Sequence, residues 1–355
     1  MNQILGLWGF GKYAMTLRQE RRISRESQLP IFSFPGKLRN LPHRNILPVD
    51  GKNQWVLCCG GVQLPILKKE RAMSKKISVF ALLGIVVLGA TSAFATEWKT
   101  DYGEAMKTAE SAHKMLFVLF ADEGDKFGSE VAKWLDDPGC EKYQETHVFV
   151  RLPLAYSATL NDKPLKILSH SAFSILHSRA GIAILDTRKK ESPQFRRVVS
   201  AYPSEFQQRL SLQRFRVILE LPEGTLAQRS LIMAVRFHPE SPQSTAGEQS
   251  ATLVREASSH SSHQARIRRQ GHHNWEQRFH SINSALPDGL VSKEICAESW
   301  PNEELLQAAF ECVHSWRQSP GHWNAVRERH VMYGYDMKRG SNGIWYATGI
   351  FGGHY

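Results

Sequence analysis

The chain has 355 residues, a formal net charge of +11 and nine tryptophans, and it is long enough for two or three domains. The charge is unevenly distributed, because residues 1–72 hold twelve Lys or Arg against four Asp or Glu, a net charge of +8. Two further lysines precede residue 96, so residues 96–355 carry a net charge of about +1. A nearly neutral body lacks the basic surface that binds phosphate backbones, which excludes nucleic acid as the expected partner.

Residues 1–72 show no sustained helical or strand periodicity. The segment contains five prolines among scattered arginines, namely Pro30, Pro35, Pro42, Pro48 and Pro65. This composition is typical either of a disordered basic extension or of an upstream stretch that the natural protein lacks. We favour the second interpretation because of the segment that follows.

Residues 73–95 have the three parts of a secretory signal peptide. Two lysines follow Met73, an apolar run extends from Ile77 to Leu88, and Ala93-Phe94-Ala95 forms a small-residue cleavage site. The sequence therefore predicts that the natural chain begins at Met73, that cleavage follows Ala95, and that the protein is secreted or located in the periplasm or cell envelope. An uncleaved segment would instead anchor the protein to a membrane, which is the one membrane contact we expect.

Residues 96–220 alternate helical and strand patterns. Tyr102 to Ala112 place apolar residues on one face of a helix, and Met115 to Ala121 form an unbroken buried strand. A second helix is expected over Ser129 to Leu135. Three shorter apolar runs follow, at Val148–Leu152, Gly181–Leu185 and Val198–Ala201. This alternation predicts an α/β domain.

The arrangement resembles the opening of thioredoxin-like domains, in which a tryptophan, a helix and a strand ending Phe-Ala-Asp lead into a Cys-x-x-Cys motif. Here Phe120-Ala121-Asp122 match the strand end, but Gly124 and Phe127 occupy the two cysteine positions. The resemblance therefore implies a thioredoxin-like fold without the thiolate that disulfide exchange requires. The lone Cys140 is expected to be a buried, unreactive residue.

A breaker cluster, Leu221-Pro222-Glu223-Gly224, marks the boundary to a second domain over residues 222–355. In this domain Asn302 is expected to cap a helix whose apolar stripe runs from Leu305 to Trp316. Ser319-Pro320-Gly321 is expected to end that helix just before His322.

The segment Trp316-Arg317-Gln318-Ser319-Pro320-Gly321-His322 closely resembles the W-x-x-S-x-G-H signature of the CAP superfamily, also called SCP or PR-1-like proteins. The closing segment Ile344–Gly352 resembles the last strand of that family, and Leu253 to Ala265 fit its long helix. The resemblance implies a CAP-type α-β-α sandwich over residues 222–355.

CAP domains have a shallow cleft lined by two histidines and two acidic residues, which in some members hold a divalent metal. The matching positions are His273 or its rival His272, then His322, and as acids Glu294 or its alternative Glu298, and Glu311. Two neutral imidazoles and a carboxylate suit zinc or a similar cation. The resemblance therefore makes His273 and His322 the expected ligands of a divalent metal such as zinc.

Two other features of this domain have simpler interpretations. Three cysteines remain in the exported part, which permits one disulfide, and Cys296 and Cys312 are the expected partners. His260 and His263 lie three residues apart and are interpreted as part of a polar helix face rather than as metal ligands.

These features favour an exported ligand-binding or interaction protein over an enzyme, because one domain lacks its cysteine pair and the other has an incomplete acid motif. The class of ligand stays open between a small molecule, a lipid and a protein. The alternative hypothesis is a metal-assisted hydrolase that uses His273, His322 and Glu294, with Glu311 or Glu298 as the base.

Overall fold

The computed structural model of the chain describes residues 96–160 and 163–355. The predicted basic extension, signal peptide and cleavage site belong to residues 1–95 and lie outside the described residues. Within the described part the protein is a mixed α/β protein, as the sequence predicts, with helices and strands alternating along the chain. None of its helices there is long and apolar enough to cross a membrane.

The first half of the described chain forms a five-stranded sheet of order β1-β3-β2-β6-β7 and a separate hairpin, β4-β5. Its elements are β1 (Trp98–Lys99), α1 (Tyr102–Ser111), β2 (Met115–Phe120), α2 (Lys126–Leu135), β3 (His147–Leu152), β4 (Ser157–Leu160), β5 (Lys163–Lys166), β6 (Gly181–Asp186) and β7 (Arg197–Pro203). Strands β1 and β2 run parallel to β3, whereas β6 is antiparallel to β2 and to β7. The helices and strands predicted for this half are confirmed.

The central strand β2 is buried along its whole length. Its residues alternate between two apolar clusters, one on each face of the sheet, because successive side chains of a strand point to opposite faces. Asp101 begins α1 by accepting a hydrogen bond from the Glu104 amide at 2.7 Å. Ala105 and Ala109 of that helix then pack on one face of the sheet.

The second half contains a four-stranded sheet of order β8-β10-β11-β9. Helix α3 (Leu212–Leu219) closes the first half. The elements of the second half are α4 (Leu226–Phe237), β8 (Glu248–Gln249), α5 (Ala251–Ile267), α6 (Trp275–Ser284), β9 (Val291–Glu298), α7 (Leu305–Gln318), α8 (Pro320–Arg327), β10 (Met332–Arg339) and β11 (Trp345–Gly353). Strand β11 is antiparallel to both β10 and β9. Strand β9 therefore lies at an edge of the sheet.

Helices cover both faces of this second sheet. On one face, α5 and α6 pack against the strands, and Leu253 and Ala257 meet Ile350 of β11. On the other face, α4 and α7 pack, and Trp316 shares a core with Ile295 of β9. Helix α8 follows α7 and contacts β9. Residues of α5, α6 and α8 can therefore meet around one edge strand.

One expectation about helix α7 is wrong, and one is confirmed. The helix begins at Leu305, and Asn302 lies in the preceding turn with a φ of 63°, where its N–H donates to the Gly343 carbonyl at 3.0 Å. Ser319-Pro320-Gly321 does end the helix, because α7 stops at Gln318 with Ser319 as its C-cap, and Pro320 then opens helix α8 directly. Proline suits the first helical position, where the missing N–H would have had no partner in the helix. His322 therefore lies in the first turn of α8.

The prediction of a disulfide between Cys296 and Cys312 is also wrong, because Cys140, Cys296 and Cys312 are all free and buried. Cys296 alternates with Ile295 along β9, so it faces α5 and α6. Cys312 lies on α7, in the core that Ile295 joins on the opposite face. The sheet itself separates the two thiols.

The predicted boundary at Leu221–Gly224 is a linker between α3 and α4, but the core continues past it. Helix α4 contacts β7 of the first sheet as well as α7 and β10 of the second half, and one apolar cluster extends through both halves. The buried Arg229 of α4 holds the linker by donating to the carbonyls of Leu221 and Pro222, both at 2.8 Å. The two halves share a core, and their division into separate domains stays a prediction.

Candidate metal-binding site

Five polar side chains from four elements and one turn converge at the edge strand β9. Glu294 lies on β9, His260 on α5 and Arg278 on α6, while His272 belongs to the turn between α5 and α6, and His322 comes from α8. Successive side chains of a strand point to opposite faces of the sheet, so Ile295 points into the core and Glu294 points toward α5 and α6. The site is therefore assembled from segments up to 62 residues apart, from 260 to 322.

Glu294 is the centre of this group. Its side chain is only 1% exposed, and its Oε1 lies 3.0 Å from His272 Nδ1. Its Oε2 accepts a hydrogen bond from the guanidinium of Arg278. On the outer side of His272, the Nε2 atom lies 3.4 Å from the Nε2 atom of His322. These contacts link Arg278, Glu294, His272 and His322 in that order.

The electrostatics keep Glu294 charged. Burial by itself would raise the pKa of Glu294, but hydrogen bonds from His272 and Arg278 outweigh burial and hold the pKa below its usual value. A charged carboxylate accepts hydrogen bonds only, so His272 donates from Nδ1, and a neutral His272 ring has its lone pair on Nε2. Burial and the neighbouring His272 lower the pKa of His322. Metal ligands must be unprotonated, and the lowered pKa of His322 favours its neutral ring.

The two histidines have the spacing of a zinc-binding pair. Zinc binds imidazole nitrogens at about 2.0–2.1 Å in tetrahedral geometry, which puts two such nitrogens about 3.3 Å apart. The Nε2 atoms of His272 and His322 are 3.4 Å apart. A metal-binding histidine commonly donates a hydrogen bond from its other ring nitrogen to a carboxylate, as His272 Nδ1 does to Glu294. The pair would hold a divalent cation with the remaining coordination positions open.

Hydrogen bonds from two buried side chains, Gln264 and His260, hold the turn that carries His272. Gln264 accepts a hydrogen bond from the Gly271 amide at 3.1 Å and donates to Thr348 Oγ1 at 2.9 Å. His260 Nε2 donates to the Gly271 carbonyl at 2.9 Å. The N–H and the carbonyl of Gly271 are thereby both held from α5. The adjacent His272 is positioned by an element that is itself packed on the sheet.

Sequence reasoning missed the role of His260. The interpretation of a polar helix face is wrong for this residue, which is 2% exposed and lies 3.7 Å from Glu294 Oε1. Burial, as the largest cause, lowers the pKa of His260 to about 4. The spacing could have predicted the burial of His260, because this residue lies on the same helix face as Leu253, Ala257 and Gln264.

The preference for His273 over His272 does not match the geometry. His273 Nε2 bonds to the Arg269 carbonyl at 3.2 Å, and its ring lies 5.5 Å from the ring of His263. Adjacent residues in this turn point in different directions, so only one of the two histidines faces His322. The structure brings His272, His322 and Glu294 together and leaves His273 outside the group.

The other two candidate acids also lie outside the group formed by His272, His322 and Glu294. Glu298 and Glu311 line a different cavity, together with His314. Glu298 lies at the end of β9, and Glu311 lies on α7, against the opposite face of the sheet from His260. The structure thus selects Glu294 among the three predicted carboxylates.

Cys296 adds a thiol beneath the histidine pair. Its Sγ lies 3.9 Å from His272 Nδ1 and forms a group of possible metal ligands with His260 and Glu294, all within 4.8 Å of one another. Burial raises the pKa of this thiol well above its usual value, and the charge of Glu294 raises it further. A protonated thiol is a poor ligand, and His260 already donates its Nε2 proton. The outer pair of histidines is therefore the better metal site.

In the first half, the two positions where the sequence resemblance places cysteines have structural roles. Gly124 adopts a φ of 78° in the turn before α2, a conformation that glycine adopts without strain. Phe127, in the first turn of α2, packs against the apolar core. Neither position offers a nucleophile.

No protein-family model matches the chain, and no curated protein matches it. Among solved structures, the chain is similar to an outer surface protein from Borrelia burgdorferi. The sequence identity is 20%, the match covers 31% of this chain and 78% of that one, and the TM-score is 0.25. The candidate site therefore rests on its own geometry.

Proposed function

We propose that this chain is an exported ligand-binding protein whose CAP-type second half holds a divalent cation, such as zinc, between His272 and His322. The observation that carries the proposal is the 3.4 Å separation of their Nε2 atoms. Glu294 orients His272 from the interior. The remaining coordination positions would receive the ligand, because both histidine rings are at least partly accessible from the surface.

The layout of the second half supports the CAP assignment. The signature segment Trp316–His322 crosses from α7 into α8, the closing segment forms β11, and helices cover both faces of the sheet. For the first half, two parallel strands beside an antiparallel pair support a thioredoxin-like module. Without a cysteine pair, that module would have a structural or binding role.

Binding is favoured over hydrolysis. A metal-assisted hydrolase needs a free carboxylate or another base beside the metal-bound water. Both oxygens of Glu294 already have partners, His272 and Arg278. Glu298 and Glu311, the proposed bases, line another cavity.

Zinc titration of the full chain tests the proposal. We expect one zinc ion per chain by isothermal titration calorimetry, with binding weakened at least tenfold in His272→Ala and in His322→Ala, because each loses one ligand. His273→Ala is the matched control and should bind zinc as the unmodified chain does. Equal zinc affinity in the His272→Ala and unmodified chains would refute the site.

Export is tested separately. We expect the exported protein, expressed from Met73 in a bacterial host, to have Thr96 as its first residue, because the peptidase would cut after Ala95. Amino-terminal sequencing of the exported fraction gives the answer. Retention of the whole protein in the cytoplasm would contradict the export part of the proposal without affecting the metal site.

A further inference from the structure

A cavity lies between the end of β9 and helix α7, and it shares no residue with the candidate metal site. Its volume is about 610 Å³. Its apolar wall consists of Trp300, Pro301 and Ile344. Trp300 is 66% exposed, whereas Trp316 and Trp323 of the same half are buried. A large indole left in solvent inside a concave surface is characteristic of a binding site.

The segment that carries Trp300 is held in place on both sides. Before it, the Ser299 amide donates to the Trp345 carbonyl at 2.9 Å, and the Ser299 hydroxyl accepts from the Trp345 amide at 3.1 Å. After it, the Asn302 amide donates to the Gly343 carbonyl at 3.0 Å. The indole is therefore presented by a fixed backbone, which lowers the entropy cost of binding.

The wall formed by α7 supplies both kinds of hydrogen-bonding group. Glu311 and, from β9, Glu298 offer carboxylate oxygens as acceptors. Ser315 offers a hydroxyl. Gln318 donates one amide hydrogen to His314 Nε2 at 2.7 Å, and its amide has a second hydrogen and a carbonyl oxygen to offer. A ligand with many hydroxyl groups, each a donor and an acceptor, matches this mixture better than a cation, which needs acceptors only.

We propose that this cavity, the Trp300 cleft (Glu298, Trp300, Pro301, Glu311, Ser315 and Gln318), binds a sugar ring of an oligosaccharide. The indole carries negative charge on its faces, so one face would pack against the C–H bonds of a pyranose. Glu298, Glu311 and Gln318 would bind the hydroxyl groups at the ring edge. The inference does not depend on the metal site.

Calorimetric titration of the full chain with three hexasaccharides, cellohexaose, mannohexaose and N-acetylchitohexaose, tests the proposal, with spermine as the cationic comparison. We expect at least one hexasaccharide to bind. Trp300→Ala should weaken that binding about tenfold or more, because the stacking face is lost. Trp300→Phe should weaken it less, since a smaller face remains. Val331→Ala changes another exposed apolar residue and should leave the binding unchanged.

Three results would overturn the proposal: none of the three sugars binds, spermine alone binds, or Trp300→Ala binds sugar as well as the unmodified chain. Circular dichroism and the melting temperature show whether Trp300→Ala is folded, independently of zinc binding. Loss of sugar binding with an unchanged melting temperature would support the Trp300 cleft. Loss of zinc binding in His272→Ala with retained sugar binding would show that the two sites are independent.

Discussion

At the candidate metal site, the hydrogen bonds that stabilise the buried Glu294 carboxylate also position His272. The carboxylate of Glu294 is buried and charged, and this is possible because His272 and Arg278 occupy its two oxygens. A buried charge without partners would be far more costly. The resemblance of sequence motifs predicted Glu294 and His322, which the structure brings into one group, but the choice between His272 and His273 depends on a turn that the motif does not describe.

Replacing Glu294 by Gln should destabilise the protein by about 3–5 kcal/mol, because Arg278 would keep a mostly buried charge without its partner. The measurement is the free energy of unfolding from urea denaturation. Glu248→Gln, at an exposed position of β8, is the control and should change the stability by less than about 0.5 kcal/mol. Equal effects of the two substitutions would show that the Glu294–Arg278 pair contributes nothing.

His260 should make the protein sensitive to mild acid. Its pKa is about 4 in the folded protein, against an ordinary value of 6.5. Between these two values the unfolded chain binds a proton that the folded chain does not, so the free energy of unfolding falls as the pH drops from 6.5 toward 4. The buried His147, with a pKa of about 3, acts in the same direction.

The test compares urea denaturation at pH 7 and pH 5 for the unmodified chain and His260→Gln. We expect a smaller loss of stability on acidification in the variant, because one of the buried histidines whose pKa is lowered is gone. His280→Gln, on an exposed part of α6, should retain the full pH dependence. An unchanged pH dependence in His260→Gln would contradict the role of His260 burial.

At the scale of elements, α5 and β10 approach each other closely. A Cβ atom at Gly334 of β10 would overlap the backbone of Leu253 and Val254, whereas one at Gly321 of α8 would meet nothing within 4 Å. Glycine is therefore required at the first position by packing and not at the second.

Gly334→Ala should destabilise the protein by about 1–3 kcal/mol, because backbone atoms of α5 would have to move. Gly321→Ala should be neutral or should stabilise the protein by up to about 1 kcal/mol, because alanine has the higher helix propensity. Thermal unfolding followed by circular dichroism measures both. Equal melting temperatures for the two variants would contradict the close approach of α5 and β10.

Sequence patterns were most reliable for elements with one strong period. The buried run of β2 and the apolar face of α1 appear directly in the sequence. The pattern failed at Asn302, which is a good capping residue but lies in a turn where its N–H donates to the Gly343 carbonyl. The end of α7 was predicted correctly, whereas helix α8, which begins at Pro320, was not predicted.

At the scale of the whole molecule, helix α4 joins the two sheets into one core. We therefore expect a single cooperative unfolding transition in calorimetry, with the calorimetric enthalpy equal to the van't Hoff enthalpy. Two resolved transitions would show that the halves unfold as separate domains. Arg229→Met, which removes the bonds to the linker carbonyls, should lower the temperature of the whole transition.

The sequence by itself determined the α/β class, the uneven charge and most of the helices and strands of the first half, because periodicity and composition are local properties. It also predicted His322 and Glu294 as site residues through a resemblance of short motifs. Only the tertiary structure decided that His272 rather than His273 faces His322, that Cys296 and Cys312 lie on opposite faces of a sheet, and that His260 is buried behind Glu294. These outcomes depend on the direction of each side chain relative to residues far away in the chain.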